Sequence, residues 1–138
     1  MTTTDRATTT ARPATKPDSS TFVRVAIALQ TLAIFFQAVT AGVLLSHHGE
    51  LLHGVGARVM YGASMLYVLA AVLAWRPGGA SPRPILFASG FLVLASVQVV
   101  LGILRVPSVH VPLGVVMFGL SVLALGRALS GGSAARAE

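Results

Sequence analysis

The sequence predicts an all-α protein in which four transmembrane helices form a bundle. Hydrophobic residues make up 54% of its 138 residues and charged residues only 10%, with a mean hydropathy of +0.80. This composition excludes an ordinary soluble domain, whose surface must face water. The apolar residues also fall into four long runs, each close to the ~20 residues with which a helix crosses the hydrocarbon core. Residues 22–130 are therefore predicted to form one membrane domain.

Four apolar runs and three short connectors define the predicted elements. The helices are expected at about residues 25–45, 51–75, 84–104 and 111–129. The first run is longer than the apolar region of a typical secretory signal, so it predicts a span. The connectors are polar or contain Pro and Gly, which start or end helices. Because these connectors are short, consecutive helices are expected to be antiparallel neighbours.

Two terminal segments flank the predicted membrane domain. Residues 1–21 are rich in Thr, Ala and Pro, and residues 131–138 are mostly small or polar. Neither segment has enough large apolar side chains to offset the entropy lost on ordering. Both are therefore predicted to be disordered tails, and on the predicted topology both lie in the cytoplasm.

The distribution of basic residues predicts the orientation. Lys and Arg number ten against four Asp and Glu, a net charge of +6 that membrane topology explains better than nucleic-acid binding does. The positive-inside rule places the more basic ends of the helices in the cytoplasm. We therefore expect a multi-pass protein of the cytoplasmic (plasma) membrane with both termini inside. The eight basic residues on this side are Arg6, Arg12, Lys16, Arg24, Arg76, Arg83, Arg127 and Arg136.

An internal repeat relates the second and fourth predicted helices. Residues 53–66 align with residues 110–123 at a constant offset of 57, and six of the fourteen positions are identical. The preceding helices each have a glutamine in their outer half, Gln37 in the first helix and Gln98 in the third. Two αα-hairpins that start on the same side are parallel repeats, related by a pseudo-two-fold axis along the membrane normal. Equivalent residues are then expected to face each other across that axis.

The repeat pairs two histidines, His53 and His110, each with small residues one turn deeper on the same helix face. Two imidazoles that reach one centre from opposite sides are suited to a haem iron, with each ring nitrogen roughly 2 Å from the metal. The ligand predicted on this basis is haem b. Two other interpretations stay open, namely small residues that only allow close helix packing and histidines that are half-solvated at the outer interface. His47 and His48 lie in a connector and are expected to face solvent.

Three charged residues lie near this pair in the sequence. Glu50, three residues before His53, is suited either to accept a hydrogen bond from the imidazole or to interact with the helix dipole. Arg58 lies some 7 to 8 Å inside the second helix and needs an anion. A lipid phosphate reached by snorkelling is favoured, and Glu50 or a haem propionate are alternatives, with Arg105 as a second propionate contact.

Several classes of function are not supported. No Asp, Glu or Lys lies in the middle of a span, which argues against a proton-coupled exporter. Nucleotide-binding, Ser/His/Asp and zinc-spacing motifs are absent, and the chain has no Cys for a disulfide or a thiolate ligand. We therefore assign no catalytic residue and favour a protein that is not an enzyme. Interhelical hydrogen bonding is the expected role of Gln30, Gln37 and Gln98.

The sequence Glu50-Leu-Leu-His53 together with His110 resembles one four-helix half of the haem A synthase family. Halves of that family have one His early in the second helix, another in the fourth, and a Glu-x-x-His sequence on the outer side. Related small four-helix membrane proteins with a His-x-x-Gly second helix are also similar. The resemblance covers about residues 25–129 and implies that His53 and His110 are haem ligands and that Glu50 supports them. Because the family enzyme has two halves, it also implies that a homodimer would restore the complete arrangement.

These observations lead to one leading hypothesis and two alternatives. The leading hypothesis is a small membrane protein that binds haem b between two histidines and serves electron transfer or haem handling. The first alternative is a cofactor-free accessory or structural subunit of a larger membrane complex. A substrate-transporting channel is the second. In each case the lipid bilayer surrounds the helices and no nucleic-acid partner is expected.

Overall fold

The computed structural model describes residues 19–45 and 49–134, and the side chains of residues 20–44 and 49–130. All regular structure in these ranges is helical, which confirms the predicted all-α architecture with four helices. His47, His48 and most of the two predicted tails lie outside the described residues. The four helices are α1 (Ser19–Leu45), α2 (Glu50–Trp75), α3 (Arg83–Ile103) and α4 (Pro107–Ala134).

The first and last helices are longer than their apolar runs. Helix α1 begins about six residues before the predicted start, and α4 extends beyond both predicted ends. Residues 19–21 and 131–134, assigned to the tails from composition, are therefore helical. Pro107 suits the first position of α4 because that position needs no backbone N–H donor. The His110 N–H donates to the Val106 carbonyl at 3.0 Å and so closes the first turn.

The helices form an up-down-up-down bundle. Helix α1 packs against α2 and α4, and α3 packs against the same two helices. Helices α1 and α3 are therefore diagonal to each other, and so are α2 and α4. The three-residue to seven-residue gaps between helices make this the expected order of neighbours. In the α1–α2 connector, Gly49 has a φ of +106°, a left-handed conformation that glycine adopts without steric cost.

Small and apolar side chains fill the bundle interior. Ala88 and Ala95 on α3 are completely buried, which allows the backbones of neighbouring helices to approach closely. Polar side chains also connect neighbouring helices. The hydroxyl groups of Thr31 on α1 and Ser121 on α4 form a hydrogen bond. The two apolar clusters contain Ala33, Ile34, Met60, Phe91, Ala95 and Met117 in the first, and Ala26, Ile27, Tyr67, Ala71 and Ala88 in the second.

The outer surface is apolar over most of the length of the helices. Leu51, Leu86 and Ile103 are more than 70% exposed, as lipid-facing side chains would be. All four helices are long and apolar enough to cross a membrane. The chain is therefore a small multi-pass membrane protein. The four candidate spans are Ser20–Leu44, Glu50–Trp75, Arg83–Ile103 and Pro107–Ser130.

The two ends of the bundle differ in composition. One end contains the start of α1, the α2–α3 connector and the end of α4. There the Arg76 guanidinium lies 5.1 Å from the centre of the Trp75 ring, an arrangement suited to the membrane interface. The opposite end contains the α1–α2 and α3–α4 connectors and the starts of α2 and α4. We call the first of these the arginine end, after Arg24, Arg83 and Arg127, and the second the histidine end, after His53 and His110.

Candidate functional site

Two histidines meet at the histidine end of the bundle. His53 is the fourth residue of α2 and His110 is the fourth residue of α4, so each lies in the first turn of its helix. Because α2 and α4 are diagonal, the side chains meet across the bundle axis. Their ring centroids are 6.2 Å apart and the ring planes are inclined at 70°. Both residues are half-buried.

Two side chains of α1 hold the His53 ring. The Thr40 hydroxyl lies 3.2 Å from His53 Nδ1, and Thr40 itself is buried. The Gln37 amide donates to the His53 backbone carbonyl at 3.1 Å and lies 3.2 Å from each ring nitrogen. The Thr40 hydroxyl donates to the Gln37 carbonyl at 2.9 Å, so it is available to accept a hydrogen bond from Nδ1. In that tautomer the lone pair of the His53 ring is at Nε2.

The backbone of α3 holds the His110 ring. His110 Nδ1 lies 3.1 Å from the Gln98 carbonyl oxygen. A carbonyl oxygen only accepts, so Nδ1 is the protonated nitrogen and Nε2 has the free lone pair. The side chain of Gln98 is buried, and its amide oxygen has no hydrogen-bond partner within the structure. Gln30 on α1 has a second such oxygen within the described residues, and each costs free energy unless a donor reaches it.

Glycines on α2 and α4 face the glutamines of the neighbouring helices. A Cβ atom on Gly56 would overlap the Gln37 amide oxygen, and one on Gly114 would lie 3.0 Å from Gln98 Nε2. The absence of a side chain therefore makes room for the two amides beside the imidazoles. Gly102 on α3 is also close, since its Cβ would lie 3.5 Å from His110 Cε1.

The charged residues singled out in the sequence do not join the histidine pair. Glu50, Arg58 and Arg105 are all exposed. Within the described part of the chain, their side chains form no hydrogen bond or ion pair with the protein. The exposure of Arg58 is consistent with a side chain that reaches a lipid phosphate by snorkelling. Arg105 has a φ of +53°, and its backbone N–H donates to the Gly102 carbonyl at 3.2 Å, so it forms the turn after α3.

Thr40 is the site residue that the sequence analysis did not identify. It is one turn from Gln37 on the same face of α1, and its hydroxyl also donates to the Gln37 carbonyl at 2.9 Å. The i, i+3 spacing of two polar residues in an otherwise apolar helix is a pattern that could have indicated it. The Gln98 carbonyl leaves no such pattern, because every residue has a backbone carbonyl.

The number of protein ligands limits the kind of metal site that the histidine pair could form. Within the described residues, no group of three or more His, Cys, Asp or Glu side chains comes together. Two imidazoles are too few protein ligands for a structural zinc site, which usually has four. A porphyrin supplies its own equatorial nitrogens and needs only axial ligands. His53 and His110 are the two side chains that would hold such a group, and it would supply one-electron redox chemistry.

Comparisons with known proteins do not place this chain in a family. No protein-family model, curated protein or solved structure matches it. The resemblance to haem A synthase therefore rests on Glu50-Leu-Leu-His53 and His110. The positions of His53, His110 and their hydrogen-bond partners are a separate basis for a functional proposal.

Proposed function

We propose that this protein binds one haem b between His53 and His110 and serves electron transfer or haem handling in the cytoplasmic membrane. The observation that supports the proposal best is the 6.2 Å separation of the two imidazole centroids across the bundle axis. When bound, haem b supplies one-electron redox chemistry whose potential depends on its axial ligands and surroundings. Arg58 and Arg105 lie at the same end of the bundle and are available to anions, whether lipid phosphates or haem propionates.

The partners of the imidazoles support ligand roles. Thr40 and the Gln98 carbonyl each lie at hydrogen-bond distance from an Nδ1 atom, which leaves Nε2 of His110 for the iron, and also Nε2 of His53 once the Gln37 amide moves away from it. Gln37 can keep its bond to the His53 carbonyl when it moves away from the ring. These contacts orient both rings before any ligand binds, so less entropy is lost on binding.

We also propose that the two hairpins are repeats related by a pseudo-two-fold axis along the membrane normal. At the offset of 57, buried Met60 and Ser64 on α2 correspond to buried Met117 and Ser121 on α4. Two of the contacts between the hairpins also correspond. They are the Phe35–Phe118 ring contact at 6.1 Å and the Tyr61–Ser96 hydrogen bond at 3.2 Å. Tyr61 aligns with Phe118 at the offset of 57, and Phe35 on α1 aligns with Ser96 on α3 at an offset of 61.

A visible spectrum of the purified protein tests the haem proposal. The protein is produced in cells supplied with a haem precursor, purified in mild detergent, and measured oxidised and after dithionite reduction. We expect a Soret band together with sharp α and β bands in the reduced state. A colourless protein with normal helical content would overturn the proposal.

The hydrogen bonds of the two histidines also suit a second function, that of a cofactor-free accessory subunit. Both imidazoles already have protein partners, so the histidine pair is also a self-contained polar contact between diagonal helices. On this interpretation the apolar outer faces pack against a larger membrane complex or a second copy of the chain. The protein would then be colourless and would copurify with its partner after crosslinking.

Thr40→Val tests whether the hydroxyl beside His53 supports haem binding. We expect about tenfold weaker affinity for haem, because removal of a group that orients a metal ligand costs 10- to 100-fold. Haem titration of the apoprotein, followed at the Soret band, measures the affinity. Thr31→Val is the matched control, since the Thr31 hydroxyl bonds to Ser121, away from the histidines. Equal affinities for the two variants would contradict a role for Thr40.

Single cysteines test the proposed orientation, because the chain has none of its own. Ser81→Cys lies in the α2–α3 connector and Ser108→Cys lies at the start of α4, so they mark opposite ends of the bundle. We expect a membrane-impermeant maleimide to label intact cells only at position 108, and permeabilised cells at both positions. Labelling of intact cells only at position 81 would place the termini outside.

A further inference from the structure

Three arginines from three different helices line one cavity at the arginine end of the bundle. They are Arg24 on α1, Arg83 on α3 and Arg127 on α4, and the cavity has a volume of about 450 Å³. Arg24 is half-buried, and the other two are exposed. Most of the other lining side chains are apolar, among them Val23 and Phe87. The cavity wall thus combines three basic side chains with a mostly apolar surface.

A second cavity extends this space into the bundle. It has a volume of about 510 Å³ and lies between α3 and α4, with apolar side chains along most of its wall. A cavity of this size can hold part of a lipid-sized molecule. The two cavities share the lining residues Ile27, Tyr67, Phe87, Ala124 and Arg127, so they adjoin each other.

In the described part of the chain, no acidic residue at the arginine end balances the positive charge of the three arginines. Glu50 is the one acidic residue among residues 19–45 and 49–134, and it begins α2 at the histidine end. Guanidinium groups at a membrane interface are stabilised by anions, and phosphate is the anion that their planar N–H groups bind best in lipids. Basic pockets between transmembrane helices are typical binding sites for anionic headgroups.

We propose that this space is a binding site for one anionic phospholipid. Arg24, Arg83 and Arg127 contact the headgroup phosphate, and one acyl chain occupies the apolar space between α3 and α4. A free phosphate ion would use the arginines but leave the apolar space empty, and an uncharged lipid would use the space but leave the arginines without an anion. An anionic phospholipid complements both features.

Native mass spectrometry of the full chain tests this site. The detergent-solubilised protein is incubated with equal amounts of dioleoyl phosphatidylglycerol and dioleoyl phosphatidylcholine, and the lipid adducts are compared. We expect the phosphatidylglycerol adduct to predominate. Each of Arg24→Gln, Arg83→Gln and Arg127→Gln should weaken this adduct about fivefold, and the triple variant should abolish the preference.

Arg76→Gln is the matched control. It removes one positive charge from the same end of the bundle, but Arg76 contacts Trp75 and does not line either cavity. We expect the adduct of this variant to equal that of the unmodified chain. An equal loss for Arg76→Gln and Arg127→Gln would show general surface attraction and overturn the proposed site.

Ala124→Leu tests the acyl-chain part of the site, because Ala124 lines both cavities and the larger side chain would fill the space. We expect weaker phosphatidylglycerol binding with all three arginines in place. Inorganic phosphate at the lipid concentration should not displace the lipid. Full displacement by phosphate, or unchanged lipid binding in Ala124→Leu, would overturn the proposal. Circular dichroism of each variant verifies that the helices are intact.

Discussion

Replacement of His110 with Ala is expected to abolish the Soret band of the haem-supplied protein. In the proposed site the two imidazoles are the axial ligands of one iron, so loss of either would remove half of those ligands. His53→Ala should therefore have the same effect, and the double variant should be no worse than either single variant. The measurement is the ratio of Soret absorbance to protein absorbance after purification, for which we expect a decrease of at least about tenfold.

Two controls separate ligand loss from misfolding. His48→Ala removes a histidine from the α1–α2 connector and should leave the band unchanged. Free imidazole added to His110→Ala should restore part of the band, because it can occupy the space left by the side chain. A His110→Ala protein with the full original spectrum would show that the iron is not bound there and would contradict the proposed site.

Replacement of Ala95 with Leu is expected to destabilise the bundle by about 1 to 3 kcal/mol. Ala95 is completely buried on α3, in the apolar cluster that also contains Met60 and Met117. A larger side chain there must push neighbouring helices apart, because membrane helices associate through close packing of small residues. The free energy of unfolding is measured by titration with sodium dodecyl sulfate, followed by circular dichroism.

Ala38→Leu is the matched control for this prediction. Ala38 is exposed on α1, so a larger apolar side chain at this position meets lipid or detergent. We expect its free energy of unfolding to stay within about 0.5 kcal/mol of the original value. Equal destabilisation by the two substitutions would contradict the burial of Ala95 among the neighbouring helices.

The number of helices and their order along the chain could be predicted because both depend on local sequence. An apolar run of about 20 residues can satisfy its backbone in lipid only as a helix, whatever its neighbours are. The ends of the helices were less predictable. Ser19 and Pro107 begin helices before the apolar runs start, because helix ends depend on backbone hydrogen bonds and first-turn residues more than on hydropathy.

Four apolar spans, short connections and an alignment of His53 with His110 can all be read from the amino-acid sequence. The folded bundle adds the side chains that surround these histidines and the arginines that share one cavity. Thr40 and Gln98 contact the imidazoles while Glu50 faces outward, and this depends on how each helix is rotated about its own axis. A soluble helix reveals its inner face by an apolar stripe, whereas these helices are apolar on nearly every face. The rotation is set by close packing of residues such as Ala88 and Ala95 against neighbouring helices, which the hydropathy of a single helix does not encode.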